Sequence, residues 1–152
     1  MSLGIPTNST RNVPVPALRQ TLDIVVLYMS VKLAAAALER AEELAQGMEL
    51  RVRLVCTLIV PYPLPVEQPQ VNLEHLKSEL EKVSQRYCLE IHGEIVLARD
   101  MQTALKSALK PKSIVVLASR RRLWSALWPT KEVRLWTECI KAGHEVVLCY
   151  AR

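Results

Sequence analysis

Short, uninterrupted apolar runs constrain this chain more than any other feature of its sequence. Residues 24–29 have the sequence IVVLYM, and residues 114–117 have the sequence IVVL. Apolar runs of this length, without polar alternation, are typical of parallel strands that are covered by helices on both faces. The sequence therefore predicts an α/β protein with a buried parallel sheet.

Helical patterns alternate with the predicted strands. Ser30 is a candidate N-cap, and apolar residues follow it at spacings of three and four as far as Met48. Further helices are predicted over residues 73–87 and 101–109, and Val133, Trp136 and Ile140 mark the apolar face of a last one. The predicted strands are residues 24–29, 52–60, 89–97, 114–117 and 145–150. The third has the polar alternation of a strand near the sheet edge.

This alternation predicts a three-layer sandwich, in which an open five-stranded parallel sheet carries helices on both faces. Ligands bind such sheets beyond the carboxyl ends of the strands, where the strand order reverses, and here that means after Met29 and after Leu117. Residues 1–21 contain three prolines and no acidic residue. We expect them to form a flexible or draped tail, and residues 22–152 to form the single domain.

The positive charge of the chain is concentrated in one segment. The formal net charge is +5, and residues 119–136 account for +4 of it. Such a local cluster favours an anionic ligand or partner at one site, whereas general nucleic-acid binding more often uses a broader basic face. The sequence has no apolar run long enough for a membrane-spanning helix and no secretory signal pattern, so we expect a cytoplasmic protein.

Metal binding and catalysis find little support in the sequence. The four cysteines have no metal-ligand spacing and are predicted to be buried, reduced thiols, and the three histidines lie far apart at helix surfaces or strand ends. Paired carboxylates, a nucleophile elbow and a His cluster with Cys or Asp are all missing. We therefore expect no metal site and no enzyme, with weak nucleotide hydrolysis as the one exception considered.

From Leu22 to Ala151 the chain resembles the universal stress protein family. The resemblance rests on the order of elements, on Ser30 after the first strand, on the proline-bearing loop after the second and on the final VVLCY. It implies a Rossmann-like, adenine nucleotide alpha hydrolase-like fold with strand order 3-2-1-4-5, and a homodimer that pairs through the last strand. The implied interface residues are His144, Val146, Val147, Leu148, Cys149 and Tyr150.

The chain departs from the motif that is typical of ATP-binding members of that family. Those members carry an Asp two residues before the Ser, where this chain has Tyr28, and a motif G-x2-G-x9-G-[S/T] after the fourth strand. Laid onto that motif, Ala118, Arg121 and Lys131 replace the glycines and Glu132 replaces the Ser/Thr. Glycine lets backbone N–H groups approach phosphate without interference from a Cβ, and Glu132 would repel phosphate. ATP or another adenine nucleotide is therefore disfavoured, and no cofactor is expected.

Two interpretations of the basic segment remain open. The guanidinium groups of Arg120, Arg121 and Arg122 suit phosphate or carboxylate, which makes a degenerate anion or nucleotide site with Tyr28, Ser30, Ala118, Ser119, Lys131 and Glu132. Alternatively, the arginines form a solvated charge run. Trp124, Trp128 and Trp136 in the same segment suit a protein-docking surface, contact with nucleic acid or anionic lipid, or packing under the last helix. The preferred hypothesis is a regulatory or interaction module.

Overall fold

The computed structural model describes residues 23–120 and 131–151. Its five strands form one parallel sheet in the order β3-β2-β1-β4-β5, which confirms the predicted fold and strand order. The strands are β1 Asp23–Tyr28, β2 Arg51–Ile59, β3 Ile91–Ala98, β4 Ile114–Arg120 and β5 Glu145–Ala151. The predicted tail, residues 1–21, lies outside the described part of the chain.

Four helices connect the strands within the described residues: α1 Val31–Ala45, α2 Leu73–Ser84, α3 Met101–Ala108 and α4 Lys131–Lys141. Short polar side chains cap three of them. Ser30 accepts a hydrogen bond from the Leu33 N–H, Asn72 one from His75 and Asp100 one from Thr103. Helix α1 ends before Gly47 at φ 74°, and α4 ends before Gly143 at φ 85°. Both angles lie in the left-handed region that glycine tolerates best.

The core consists of two layers, one on each face of the sheet. Ile24 and Val26 pack with α1 and α2 on one face, while Val25 and Leu27 pack with α3 and α4 on the other. All four side chains are almost completely buried. Strand β1 therefore has no solvent-facing side, and this is the physical reason for its uninterrupted apolar sequence.

The predicted last helix is confirmed as α4, but two of the apolar residues that marked it, Trp136 and Ile140, do not lie on its buried face. Leu135 and Cys139 are the buried residues of this helix, whereas Trp136 is 39% exposed and Ile140 is 48% exposed. Because Leu135 and Cys139 are four residues apart, they lie on one side of the helix and pack on the sheet. Trp136 and Ile140 form a second apolar stripe that the sheet does not cover.

The cysteine prediction also needs a correction. Cys56 and Cys139 are buried and Cys149 is partly buried, but Cys88 is exposed after the end of α2. Within residues 23–120 and 131–151, no group of three His, Cys, Asp or Glu side chains could hold a metal ion. Among the same residues, no helix has both the length and the apolar character needed to cross a bilayer.

Candidate functional site

A crevice opens at the carboxyl ends of the two central strands. Strands β1 and β4 pair only over residues 24–26 and 114–116, whereas β4 stays paired with β5 along residues 114–120. Helix α1 then leaves β1 toward one face and α4 follows β4 on the other. This is the point of strand-order reversal at which open α/β sheets bind ligands. Of the predicted site, Tyr28 and Ser30 lie on the β1 side of this point, and residues 118–120 lie on the β4 side.

Tyr28, the last residue of β1, points into the core rather than into open space. Its side chain is 8% exposed, and its hydroxyl donates a 3.1 Å hydrogen bond to Oε2 of Glu79 on α2. Burial, and then the hydrogen bond to Glu79, raise the pKa of Tyr28 to about 12. Tyr28 therefore remains a neutral donor that is engaged by a carboxylate of its own chain.

Glu79 extends this contact to the surface of α2. Its other oxygen, Oε1, lies 3.3 Å from Nε2 of His75, one turn earlier on the same helix. The His75 imidazole is largely exposed. On the β1 side of the crevice, the phenol of Tyr28 and the carboxylate of Glu79 are therefore already hydrogen-bonded to each other.

Ser30 is the N-cap of α1, and its side-chain oxygen bonds to the first turn of that helix. Its Oγ accepts a 3.3 Å hydrogen bond from the Leu33 N–H, and its carbonyl accepts one from the Ala34 N–H. The hydroxyl oxygen therefore serves α1 as an N-cap. Its place at the start of a helix matches the predicted site, and its role in binding a ligand remains a prediction.

On the β4 side, the strand continues beyond the predicted boundary at Leu117. Ala118 and Ser119 are both 1% exposed and pair with Cys149 and Tyr150 of β5. The Ser119 hydroxyl donates a 3.2 Å hydrogen bond to the carbonyl of Arg120, the exposed last residue of β4. The position of the first motif glycine is therefore buried sheet rather than the open loop that the motif alignment assumed.

The remaining predicted site residues are placed only in part. Arg121, Arg122, Trp124 and Trp128 lie outside the described residues, as does the side chain of Lys131. Glu132 is partly buried in the first turn of α4. Anion binding by the arginine segment stays a prediction.

A cavity of about 970 Å³ lies beside the crevice, between the first turns of α3 and α4. Its walls are Thr57, Leu58, Ile59, Asp100, Met101, Gln102, Val133, Arg134, Leu135, Thr137 and Glu138. Thr57 is buried, and its hydroxyl lies 3.7 Å from the sulfur of Met101. Hydrogen bonds from Thr103 hold the pKa of Asp100 below its usual value, so this wall carries a carboxylate. Arg134 is an exposed cation on the opposite wall.

Sequence reasoning did not identify this cavity. Arg134 was counted only as part of the basic cluster, and Thr57 and Thr137 were not singled out. Arg134, Thr137 and Glu138 do share one side of α4, because they are three and four residues apart. That spacing was visible in the sequence, but the facing wall from α3 was not.

An apolar surface runs along the outer edge of the sheet, which we name the β5 edge surface: strand β5 with Trp136 and Ile140 of α4. β5 is the terminal strand, and its Tyr150 is 46% exposed. Since Arg134 and Glu138 face α3 across the cavity, Trp136 and Ile140 project from the opposite side of α4, the side nearer β5. The described part of the chain leaves the side chains of Trp136, Ile140 and Tyr150 partly exposed.

Comparison with solved structures decides the fold type. A universal stress protein from Archaeoglobus fulgidus superposes with a TM-score of 0.54 at 18% identity, over 84% of this chain and 92% of its own. This chain has the universal stress protein fold. A universal stress protein in complex with cAMP also matches, with a TM-score of 0.56 at 13% identity, over 86% of this chain and 98% of its own.

The likeness is one of structure. No family model matches the sequence, and no curated protein matches it either. The universal stress protein fold thus accounts for the sheet order and for the position of the crevice, and the resemblance expected from the sequence is confirmed at that level. The chemistry of the site has to be argued from the residues of this chain.

Proposed function

We propose that this protein is a universal stress protein-like regulatory or interaction module that acts through homodimerisation and protein contacts. Its role is non-catalytic and does not depend on ATP bound in the family manner. The observation that carries the proposal is the β5 edge surface, where the terminal strand pairs on one side only within residues 23–120 and 131–151 and lies beside exposed Trp136, Ile140 and Tyr150. Exposed apolar edge strands pair readily with another chain, and Trp and Tyr dominate the energetics of many interfaces.

The two sides of the crevice support the part of the proposal that concerns ATP. The hydroxyl of Tyr28 is engaged by Glu79 at the position where ATP-binding members carry a free carboxylate. Ala118, at the first glycine position, is buried in the ladder with β5. Backbone donors for phosphate need an open glycine loop, and Ala118 lies in the paired sheet instead.

The second copy is expected to pair its β5 with the first around a two-fold axis. Such an interface is isologous, so the same patch serves both subunits and needs no complementary second surface. Each strand would satisfy the outer backbone groups of the other, and the exposed stripe of α4 would add side-chain burial beside them. Trp124 and Trp128 remain candidates for further contacts with a protein partner.

Sedimentation equilibrium over a micromolar range tests the proposal. The wild-type protein is expected to be a dimer, and a Trp136→Glu, Ile140→Lys double variant is expected to be a monomer with unchanged circular dichroism. Met48→Lys is the matched control, because Met48 is even more exposed but lies after α1, away from the β5 edge surface. A monomeric wild-type protein, or a double variant that dimerises as the wild type does, would contradict the proposal.

A second candidate function is a sensor of a small anion or nucleotide. The sequence predicts binding through Arg120–Arg122, which is described only as far as Arg120, and we place the candidate site instead in the neighbouring cavity between α3 and α4. Its volume of about 970 Å³ is at the upper end of the range for small-molecule sites. Arg134, Thr57 and Thr137 supply donors, whereas Asp100 and Glu138 add two carboxylates that favour a nucleotide's base and sugar over a bare anion. One of the structural relatives was solved in complex with cAMP. Binding beside the crevice would require no glycine loop.

Thermal unfolding with and without nucleotides separates the two functions. A ligand that binds the folded state raises its melting temperature, so ATP, AMP, cAMP, cyclic dinucleotides and phosphate are compared at constant ionic strength. A nucleotide-specific shift that is lost in Arg134→Gln would favour the sensor. No shift with any nucleotide would remove it and leave the dimerisation result to stand alone.

A further inference from the structure

Strand β3 is the other terminal strand of the sheet, and a groove runs along its outer edge. Within residues 23–120 and 131–151, β3 pairs with β2 alone. The groove is a cavity of about 380 Å³ between α2 and β3. Its walls include Lys77, Leu80 and Glu81 of α2 with Ile91, Gly93 and Ile95 of β3. A helix beside an open strand edge is an arrangement that binds an added strand, since the edge pairs with its backbone and the groove takes its side chains.

The hydrogen bonds of β3 show which backbone groups face the groove. The Ala98 carbonyl accepts a 2.8 Å hydrogen bond from the Val60 N–H, so the backbone groups of Ala98 point toward β2. The register between the two strands is unbroken along residues 91–98 of β3. Because successive residues of a strand turn their backbone groups to opposite sides, Gly93 and Ile95 turn theirs away from β2. These groups are open to a further strand.

The side chains at this edge leave room on the same side. Ile91 and Ile95 belong to the core layer beneath α2 but are only partly buried, whereas Val52, the partner of Ile91 on β2, is fully buried. Gly93 lies on this face too, because a Cβ added to it would lie 3.4 Å from Cβ of Leu80 on α2. The groove therefore suits a strand that turns apolar side chains toward α2.

The chain itself contains a segment with the required pattern. Residues 13–17 have the sequence VPVPA. Proline has no N–H, so in a sheet it belongs where its nitrogen faces away from the neighbouring strand. Pro14 and Pro16 are two positions apart, so both face away when the residues on either side of them face β3. Such a segment pairs with one strand only, and the same alternation turns its two valines to one face.

We propose that residues 13–17 add to β3 as a sixth strand, with Val15 opposite Gly93 and with both valine side chains in the groove beside α2. The six steps from residue 17 to Asp23 span about 20 Å when extended. The added strand would lie three strand spacings from β1, a distance of about 14 Å. The connection is therefore long enough for the segment to bind its own chain.

The position of Asp23 sets the direction of the added strand. Asp23 pairs with Arg51, and the next residue of β2 pairs with Ile91, so β1 and β3 start at nearly the same level of the sheet. The connection then enters the groove from this end, and the added strand runs antiparallel to β3. It would cover the β3 edge and leave β5 as the free edge of the sheet. The inference goes beyond the proposed dimer and does not rest on it.

Hydrogen exchange of backbone amides in the full chain, followed by NMR, tests the pairing. The Gly93 and Ile95 amides are expected to exchange at least about tenfold more slowly in the wild type than in Val15→Pro, which removes an N–H that faces β3. Asn12→Pro is the matched control, because residue 12 faces away in the same alternation, and it should keep the protection. Unprotected amides in the wild type, or equal effects of the two prolines, would overturn the proposal. Protection that survives in Val15→Pro would also overturn it and would assign the edge to a second copy.

An engineered disulfide tests the register and the identity of the chain that binds. Residues 16 and 92 would form a non-hydrogen-bonded pair with Cα atoms about 4.5 Å apart, which a disulfide can span. The double variant Pro16→Cys, His92→Cys is made with Cys88→Ser, since Cys88 is an exposed thiol. Mild oxidation should link residues 16 and 92 within one chain, as shown by mass spectrometry of the unreduced digest. The variant Val15→Cys, His92→Cys should form its bond at least about tenfold more slowly, because residue 15 faces the other side. Equal rates, or a bond between two chains, would contradict the proposal.

Discussion

The hydroxyl of Tyr28 donates a 3.1 Å hydrogen bond to Oε2 of Glu79, and this contact joins the end of β1 to the middle of α2. The two residues are 51 positions apart in the sequence. Tyr28→Phe keeps the ring in the core but removes the donor. We expect the free energy of unfolding to fall by about 1 kcal/mol, measured by urea denaturation at neutral pH. A variant as stable as the wild type would contradict the assigned bond.

The same hydroxyl makes stability depend on alkaline pH. The pKa of Tyr28 is raised from its ordinary value of 10.0 to about 12 in the folded protein, first by burial and then by Glu79. A group with a raised pKa contributes stability that is complete below its unfolded pKa and is lost as the pH rises toward its folded pKa. The stability of the wild type should therefore fall between pH 10 and 12, and that of Tyr28→Phe should fall less. Equal pH profiles would show that Tyr28 is not the group responsible.

Arg99 is expected to hold the loop between β2 and α2. Its guanidinium donates to the carbonyls of Val60 and Leu64 and lies 4.1 Å from the centroid of the Tyr62 ring. Arg99→Ala should lower the free energy of unfolding by about 1–3 kcal/mol and speed cleavage after Glu67 by a glutamate-specific protease. Arg99→Lys should be intermediate, because an ammonium can donate to carbonyls as Nη1 does but cannot lie over the Tyr62 ring as the planar guanidinium does.

Arg86→Ala is the control for this loop, since Arg86 is exposed beyond the end of α2. It should leave both stability and cleavage unchanged. If the two alanine variants are cleaved at the same rate, Arg99 does not restrain the loop.

Gly93 is expected to tolerate alanine but not valine. A Cβ at this position would lie 3.4 Å from Cβ of Leu80, where α2 packs on β3. Gly93→Ala should leave the urea midpoint nearly unchanged or raise it slightly, because the smaller set of unfolded conformations offsets the tight contact. Gly93→Val should cost about 1–3 kcal/mol through overpacking. A valine variant as stable as the alanine one would mean that α2 moves away freely.

The cysteines are expected to react in an order set by burial. Burial, helped by Glu138, raises the pKa of Cys139 to about 11, and burial also raises the pKa of Cys149. The thiolate is the reactive form, so exposed Cys88 should be alkylated first at mildly alkaline pH, as followed by peptide mass spectrometry. Urea should make all four sites react at similar rates. Early modification of Cys139 in the native protein would contradict its position in the core.

The sequence predicted the sheet well because the composition of each strand reflects whether its two faces are buried. Val25 and Val26 are buried on opposite faces, so the strand needs apolar residues at every position. The end of β4 was missed for the opposite reason. Ala118, Ser119 and Arg120 have little strand propensity of their own, and their pairing with β5 holds them extended.

Helix α4 shows a second limit of sequence patterns. It carries two apolar stripes, Leu135 with Cys139 and Trp136 with Ile140, and periodicity alone does not say which stripe meets the sheet. The sequence pattern pointed to Trp136 and Ile140, and the structure buries Leu135 and Cys139 instead. The cavity beside the crevice was missed because it has walls from α3 and α4, which are far apart in sequence.

The early parting of β1 and β4 has a consequence for how this protein can change. The gap belongs to the sheet, and its depth depends on buried side chains that hold the two core layers together. The positions of the motif glycines, by contrast, are spread over the end of β4, the connection that follows it and the start of α4. Ala118 belongs to a core layer, so a larger side chain there would disturb the sheet, whereas substitutions outside the two core layers can change what the crevice binds while β1 and β4 keep their places.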